Sequence, residues 1–214
     1  GSWMSVDLSP DGQTLVLDVR GDLYPLPVAG GTATRITHGL AFDAQPRWSP
    51  DGKRIVFVSD RSGGDNVWTI SADGKDSLQV TKGNTNQYIS PEWTPDGKYI
   101  VVSRSASGGA KLYLYHADGG SGAQLENQPG SARSIGAAFG PDGRYIWYAS
   151  RQGDHTYNAA FPTYQLGVYD RETGQRTTMS SRYGSAFRPG VTPDGKHLVY
   201  GSRHDAETGL RVRE

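Results

Sequence analysis

The sequence contains five copies of the tripeptide Pro-Asp-Gly, and this internal repeat constrains the fold more than any other feature. The prolines stand at positions 10, 50, 95, 141 and 193, so successive copies are 40, 45, 46 and 52 residues apart. Proline presets the backbone angle φ at the first corner of a turn, aspartate bonds back to the backbone, and glycine tolerates positive φ. Each copy is therefore predicted to be a tight turn that joins two antiparallel strands.

The residues that flank each turn repeat in the same register. An apolar side chain stands two residues before each proline: Leu8, Trp48, Trp93, Phe139 and Val191. A second apolar segment follows each turn, at 15–17, 55–58, 100–102, 146–148 and 198–200. Because these segments are continuously apolar rather than alternating, they are expected to be strands buried on both faces.

Two further strands are predicted in each repeat. A third strand is expected at 23–24, 67–70, 112–115, 166–169 and 210–212. A more polar fourth strand is expected at 33–37, 77–81, 123–127 and 175–180. Such a unit describes the blade of a β-propeller. The predicted class is therefore an all-β β-propeller of four-stranded antiparallel blades.

The repeat also predicts where the blades begin and end. Residues 1–2 are typical of a pair left by tag removal, and the blades are expected at 3–38, 39–82, 83–128 and 129–181, with a partial fifth blade at 182–214. About 14 residues separate the start of the third strand from the end of the fourth, as from Leu23 to Thr37. Counting 14 from Leu210 gives position 224, ten beyond Glu214. The propeller is therefore expected to be incomplete, with four full blades plus a partial fifth.

An incomplete propeller leaves apolar faces on its first and last blades, and such patches usually find a partner. We expect a protein partner, self-association through these open faces, or pairing with the remainder of the same polypeptide. The alternative is a compact ring of five units that closes imperfectly.

The segment 47–61, Arg-Trp-Ser-Pro-Asp-Gly-Lys-Arg-Ile-Val-Phe-Val-Ser-Asp-Arg, followed by Asn-Val-Trp-Thr-Ile-Ser-Ala-Asp-Gly at 66–74, closely resembles the repeat of TolB-like propellers, a WD-like family. The resemblance covers essentially the whole chain. The stretches 3–8 and 164–190 look most like propellers that are fused to metal-dependent amidohydrolase domains. If the parent is such an enzyme, the resemblance implies that its metal ligands lie downstream.

Charge and composition narrow the partners and the location. Lys plus Arg and Asp plus Glu both total 22, so there is no overall positive field and nucleic acid is not expected as a partner. The absence of cysteine excludes disulfides and thiolate metal sites, and it suits a periplasmic or secreted bacterial protein. No apolar stretch approaches the roughly 20 residues that span a bilayer, so membrane insertion is not expected.

The sequence contains no recognisable catalytic motif. There is no Gly-x-Ser-x-Gly, and the five histidines have neither His-x-His nor His-Glu-x-x-His spacing, so no catalytic residue, cofactor or metal is predicted. The turn aspartates are interpreted as structural rather than as paired glycosidase carboxylates. Segment 60–66 is rich in oxygen ligands but departs from the calcium-loop pattern, which leaves calcium as the minor alternative there.

The candidate partner-binding loop is the insertion in the fourth repeat, at 152–163, because insertions on one side of a repeat array often carry binding. Its candidate residues are of types favoured at contact surfaces: His155, Tyr157, Asn158, Phe161 and Tyr164. The alternative is an ordered loop without a partner.

An arginine follows each second strand, at positions 20, 61, 104, 151 and 203. It is interpreted as a residue that fixes a loop or joins neighbouring blades. The alternative is a ligand-binding ring of arginines.

These observations favour a non-catalytic β-propeller module that acts as a docking or substrate-access scaffold for a downstream hydrolase domain. The first alternative is a stand-alone TolB-like, protein-binding scaffold of the cell envelope. The second is a hydrolase with its site in the propeller channel, although the inner strands at 132–139 and 186–191 offer mostly apolar and small residues. The chain itself is not expected to be an enzyme; the parent is a candidate metal-dependent amidohydrolase.

Overall fold

The computed structural model describes residues 4–105, 109–127, 130–151, 163–180, 185–204 and 207–213. These residues form strands, turns and connecting segments, and no helix occurs among them. The strands lie in five sheets, and consecutive strands are neighbours within each sheet. The all-β class and the blade-like sheets of an incomplete propeller are therefore confirmed.

Sheets 1 and 5 contain three strands each, and sheets 2, 3 and 4 contain four. Sheet 1 consists of β1 (Val6–Leu8), β2 (Thr14–Val19) and β3 (Asp22–Pro27). Sheet 2 consists of β4 (Asp43–Trp48), β5 (Arg54–Ser59), β6 (Asn66–Ser71) and β7 (Ser77–Gln79). Sheet 3 consists of β8 (Gln87–Trp93), β9 (Tyr99–Ser105), β10 (Lys111–His116) and β11 (Ala123–Gln124). Sheet 4 consists of β12 (Arg133–Phe139), β13 (Tyr145–Arg151), β14 (Gln165–Asp170) and β15 (Arg176–Thr178), and sheet 5 of β16 (Ser185–Val191), β17 (Leu198–His204) and β18 (Glu207–Arg213).

Four of the five Pro-Asp-Gly turns share one hydrogen-bond pattern, and the fourth, with Gly140, lacks the hydroxyl. In the first turn, the Ser9 hydroxyl donates to Asp11 Oδ1 at 2.6 Å and accepts from the Thr14 N–H at 2.9 Å. The N–H of Gly12, at φ 72°, donates to the Ser9 carbonyl at 2.8 Å. The same hydroxyl-to-aspartate contact recurs at Ser49, Thr94 and Thr192. The turn aspartates thus have the structural role expected of them.

The 14-residue spacing noticed in the sequence corresponds to a hydrogen bond. The N–H of Leu23 donates to Thr37 Oγ1 at 2.9 Å. Equivalent bonds run from Val67 to Thr81 at 2.9 Å, from Leu112 to the Glu126 carboxylate at 3.4 Å and from Leu166 to Ser180 at 2.9 Å. Each side chain ties the end of an outer segment to the start of the third strand.

The predicted fourth strands are present in sheets 2, 3 and 4 as β7, β11 and β15. In sheet 1, residues 33–37 are not a regular strand, but they follow the edge of β3. The N–H of Thr34 donates to the Pro25 carbonyl at 2.9 Å, and the N–H of Ile36 donates to the Leu23 carbonyl at 3.0 Å. This segment therefore covers the edge of sheet 1 with two backbone hydrogen bonds.

The first strands of sheets 2 to 5 share a residue with positive φ, placed five residues before the turn proline: Gln45 at 58°, Ser90 at 53°, Gly136 at 67° and Arg188 at 49°. In β4, β12 and β16 the strand pairing shifts register there, which is a β-bulge. At a bulge, the backbone N–H of the extra residue is not used in strand pairing and can bond to a group outside the sheet. The N–H of Gln45 bonds to Asp18 Oδ2 at 2.8 Å, and the N–H of Ser90 bonds to Gln45 Oε1 at 2.5 Å, so these bulges join successive sheets.

The chain divides into two compact units, Gly1–Val101 with Leu114–Ala123, and Val102–Tyr113 with Gln124–Glu214. The core of the first unit contains Val16, Leu23, Ile36, Trp48, Ile55, Phe57 and Ile70. The core of the second contains Leu166, Ala186 and Leu198, against which Trp147, Val191 and Tyr200 pack. The apolar segments 55–58 and 100–102 are buried, as predicted.

Candidate functional site

The loop predicted to bind a partner lies mostly outside the described residues, which include only Tyr164 of its five candidates. The backbone N–H of Tyr164 donates to Ser185 Oγ at 3.0 Å, and its carbonyl accepts from the N–H of Ala186 at 2.8 Å. These bonds hold the entry to β14 beside the start of β16. The binding role of His155, Tyr157, Asn158 and Phe161 stays a prediction.

Sheet 1 exposes an apolar face. Met4, Val6 and Leu8 are 64%, 53% and 50% exposed. Val6 is paired with Leu17 and Leu8 with Leu15 across β1 and β2, so these side chains share one face of the sheet. We call Met4, Val6, Leu8, Leu15 and Leu17 the first-sheet face.

At four of these five repeat positions, all but that of Met4, the residues of sheets 2 and 3 are buried. Trp48 and Trp93, which stand where sheet 1 has Leu8, are 8% and 5% exposed. Ile55 stands where sheet 1 has Leu15, and it is fully buried. The first-sheet face therefore has the composition of a contact between sheets.

The contact that buries this face in sheet 2 is made by the opposite face of sheet 1. Trp48 and Ile55 pack there against Val16 and Leu23. We call this contact between sheets 1 and 2 the first interface. It shows what kind of surface complements the first-sheet face, namely the apolar face of another sheet.

Three charged side chains from successive inner strands form a second feature. Arg47 of β4 places its Nε 3.3 Å from Glu92 Oε2 of β8, and its Nη1 donates to the Val6 carbonyl of β1 at 3.2 Å. Asp7 of β1 accepts the N–H of Trp48 at Oδ2, at 2.7 Å. We call Asp7, Arg47 and Glu92 the inner cluster. It connects the first strands of sheets 1, 2 and 3.

The inner cluster contains carboxyl groups with raised pKa values. Burial raises the pKa of Glu92 from 4.5 to about 7; the positive charge of Arg47 opposes this shift and the negative charge of Asp7 adds to it. Burial also raises the pKa of Asp7, against the hydrogen bond from the Trp48 N–H and the charge of Arg47. Glu92 can therefore gain or lose a proton near neutral pH.

The inner cluster has the chemistry of a pH-sensitive link between strands. Its three side chains include no serine, cysteine or histidine, so they do not form a triad of the Ser-His-Asp kind. This cluster was not predicted from the sequence, because its three residues come from different repeats and do not form a local catalytic motif. The sequence does contain a signal for the cluster: the position three residues before the turn proline is charged in the first three repeats and small in the last two. The residues there are Asp7, Arg47, Glu92, Ala138 and Gly190.

An open pocket of about 150 Å³ lies between sheets 4 and 5. Its apolar lining comes from Trp147, Met179, Val191 and Leu198. Gly195, Lys196 and His197, in and after the last Pro-Asp-Gly turn, complete the lining. We call this contact between sheets 4 and 5 the last interface.

Arg61 shows how one of the five repeated arginines is used. Its Nη2 lies 2.6 Å from Asp43 Oδ2, and its Nε donates to Ser59 Oγ at 3.1 Å. The guanidinium also stacks over the Phe57 ring at 4.9 Å. Arg61 thus fixes its loop, in agreement with the first of the two interpretations.

The oxygen-rich segment 60–66 bonds to its own surroundings. Asp60 Oδ1 accepts the Phe42 N–H at 2.8 Å, and Asn66 Nδ2 donates to Ser62 Oγ and to the carbonyls of Gly64 and Gly83. The side chains of Asp60 and Asn66 therefore hold the segment to itself and to neighbouring loops. Across the described parts of the chain, no three His, Asp or Glu side chains are grouped as metal ligands would be. No described helix has the length and apolar character needed to cross a membrane.

Comparison with known proteins gives relatives that match parts of the sequence. The Tol-Pal system protein TolB of Bordetella pertussis is 39% identical over 56 residues, which are 26% of this chain and 13% of that protein. The first curated relatives are covered over 26% of their length or less.

Solved structures share the fold over nearly the whole chain. The structure of putative TolB from Agrobacterium tumefaciens matches with a TM-score of 0.82 and 21% identity, over 99% of this chain and 77% of that one. A puromycin-hydrolyzing peptidase of Mycobacterium tuberculosis matches with a TM-score of 0.74 and 22% identity, over 97% of this chain and 36% of that one. At these identities the likeness concerns the fold alone.

The family comparison covers most of the chain. The family model PD40, described as the TolB beta propeller domain, matches residues 1–161 of the 214. The match includes the first three Pro-Asp-Gly repeats, the inner cluster and the turn of the fourth repeat. The chain belongs to the TolB β-propeller family.

Proposed function

We propose that this chain is a non-catalytic, protein-binding propeller module that docks through the first-sheet face. The observation that carries the proposal is the exposure of Val6 and Leu8, because sheets 2 and 3 bury the residues at both of these repeat positions. A contiguous apolar face of this kind marks an interaction surface more often than scattered exposed side chains do.

Burial of this face by a partner is favourable in free energy. Burial of a valine or leucine side chain contributes about 1.5–3 kcal/mol relative to leaving it in water. Because Met4, Val6 and Leu8 are already about half buried, covering all three supplies only about half of the summed value, from which the ordering of the partners must be subtracted. The partner surface expected from the first interface is an apolar β-sheet.

The finer proposal is that this partner belongs to the same polypeptide and serves a hydrolase domain, as docking surface or as part of a substrate-access wall. It is supported by the occurrence of the fold within the longer chain of the puromycin-hydrolyzing peptidase. A stand-alone, TolB-like scaffold of the cell envelope is the second candidate. The 39% identity with the Tol-Pal system protein TolB favours that candidate, and either one agrees with a periplasmic or secreted location.

A charge placed on the first-sheet face tests the proposal. In sedimentation velocity at micromolar concentrations, the unaltered chain should self-associate through this face. Leu8→Lys should give a monomer with an unchanged circular dichroism spectrum, because Leu8 is already half exposed. Leu40→Lys makes the same chemical change at an exposed position outside the face and should leave association intact.

Two outcomes count against the proposal. A chain that sediments as a strict monomer over the whole concentration range would contradict self-association through the first-sheet face. Equal association of Leu8→Lys and Leu40→Lys would place the contact elsewhere.

A further inference from the structure

The pocket at the last interface occupies the repeat positions that form the core of the first interface. Counting from the turn prolines and from the 14-residue hydrogen bond gives four equivalent pairs: Val16 and Trp147, Ile36 and Met179, Trp48 and Val191, Ile55 and Leu198. The pocket is therefore a changed version of a packed contact that the same chain displays elsewhere.

The change concerns which sheet supplies the tryptophan. At the first interface, Trp48 belongs to the second of the two sheets and is only 8% exposed. At the last interface the equivalent residue is Val191, and the tryptophan is Trp147 of the preceding sheet. Val191 is too small to fill the space that an indole occupies at this position, and a pocket of about 150 Å³ lies beside it.

The size of the pocket limits what can enter it. A dry apolar cavity of about 150 Å³ accepts one benzene ring, whereas sites for drug-sized molecules measure about 300–1,000 Å³. A pocket for one ring is the typical receptor of a single anchoring side chain in a protein contact. We infer that the pocket at the last interface receives one aromatic side chain of a partner polypeptide.

The lining agrees with an aromatic occupant. The Trp147 ring offers a stacking or edge contact, and the thioether of Met179 is a favourable neighbour for an aromatic ring. Met179 is 36% exposed, so it is accessible from solvent. Leu198 and Val191 complete an apolar surface around the ring.

The two methionines of the chain provide a direct test. Met179 lines the pocket, and Met4 is exposed on sheet 1. With ¹³C-methyl methionine labelling, NMR gives one signal for each, and a Met4→Leu variant assigns them. N-acetyl-tryptophanamide should shift the Met179 methyl upfield in a saturable titration and leave Met4 in place. N-acetyl-leucinamide, which has the same backbone and no ring, should shift neither.

Two variants fill the pocket from within. Val191→Trp restores the side chain found at the first interface, and Val191→Phe restores the type found at position 139 of sheet 4. Either should shift Met179 in the absence of ligand and abolish the response to N-acetyl-tryptophanamide. Val28→Trp, the same change at a half-exposed position, should leave the titration unchanged. Val191→Phe keeps the test usable if Val191→Trp does not fold.

Several results would overturn the inference: no Met179 shift at millimolar probe, equal shifts of both methyl groups, equal effects of the tryptophan and leucine probes, or a full response in Val191→Phe. The inference rests on the proposed protein-binding function, but its test is separate. Leu8→Lys should not affect the Met179 titration, and Val191→Phe should not affect sedimentation. Failure of one idea is thereby distinguished from failure of the other.

Discussion

The first and last interfaces use the same repeat positions with the large side chain on opposite sides. Trp48 reaches back from sheet 2 onto Val16 and is nearly buried, whereas Trp147 reaches forward from sheet 4 towards Val191 and lines an open pocket. Both contacts consist of one tryptophan and several smaller apolar side chains, but the first is tightly packed and the last borders a pocket. The repeat thus determines which positions contact each other across two sheets. Which of the two sheets supplies the tryptophan ring determines whether the contact is fully packed.

The largest expected effect comes from deleting the ring that closes the first interface. Trp48→Ala should lower the free energy of unfolding by about 3–5 kcal/mol, because the cavity left in a packed core cannot collapse fully. Val191→Ala should cost only about 1 kcal/mol, because that side chain already borders open space. Urea denaturation followed by circular dichroism measures both.

Trp48→Phe separates the ring from its polar atom. The indole N–H of Trp48 is buried without a hydrogen-bond partner among the described residues, so phenylalanine keeps a ring and removes an unsatisfied group. This variant should lose less than half as much stability as Trp48→Ala. Similar losses for Trp48→Ala and Val191→Ala would contradict the contrast between the two interfaces.

The second expected effect concerns charge, which distinguishes the same two regions. The inner cluster joins sheets 1, 2 and 3, whereas sheets 4 and 5 have Ala138 and Gly190 at its positions. Because the pKa of Glu92 is raised from 4.5 to about 7, the folded state binds a proton there that the unfolded state has already released. Stability should therefore fall as pH rises through this window, by about 2 kcal/mol between about pH 5 and pH 8.

Glu92→Gln removes the titrating group and should flatten this pH dependence. The variant should be close to the unaltered protein at acid pH and more stable than it near pH 8. Glu172→Gln is the matched control, because Glu172 is exposed and its ion-pair partner, Arg144, is not a member of the cluster. Parallel stability curves for the unaltered protein and Glu92→Gln would show that Glu92 does not titrate in this range.

A reciprocal exchange tests whether ring direction accounts for the packing difference. Trp147→Val alone should lower the free energy of unfolding by about 2 kcal/mol, because it truncates the largest apolar side chain that lines the last interface. Combined with Val191→Trp, it rebuilds the arrangement of the first interface, so the double variant should recover at least about 1 kcal/mol of that loss. The coupling is measured by a double-mutant cycle in urea. Additive effects would show that the two positions do not share one space.

The sequence predicts well those features that a few adjacent residues determine. The turns follow from the local chemistry of Pro-Asp-Gly, and the buried strands follow from continuous apolar segments such as 55–58 and 100–102. Even the 14-residue spacing was visible, although its cause, a hydroxyl such as that of Thr37 accepting a backbone N–H, appears only in the structure.

Features that depend on contacts between repeats were not predicted. Asp7, Arg47 and Glu92 are at least 40 residues apart along the chain, and only the stacking of successive sheets brings them together. The transfer of the tryptophan from the second sheet of the pair to the first, at the last interface, likewise cannot be recognised from a single repeat. Both signals emerge when the repeats are compared position by position relative to the turn proline.

The smallest expected effect lies in the turn beside the last interface, where Gly140 stands in place of the serine or threonine of the other turns. Those hydroxyls donate to the turn aspartates and lower the pKa of Asp11, Asp51 and Asp194. A Cβ at position 140 would lie 3.5 Å from Asp142 Oδ1 and 4.0 Å from Val191 Cγ1, which are ordinary contacts.

Gly140→Ser should therefore stabilise the protein by roughly 0.5–1 kcal/mol, through reduced freedom of the unfolded chain and one added hydrogen bond. Gly140→Ala, which lacks the hydroxyl, should give only the first part of this gain. Thermal unfolding of the three proteins side by side measures the difference. If serine and alanine stabilise equally, the hydroxyl-to-aspartate contact adds nothing to the stability of the turn.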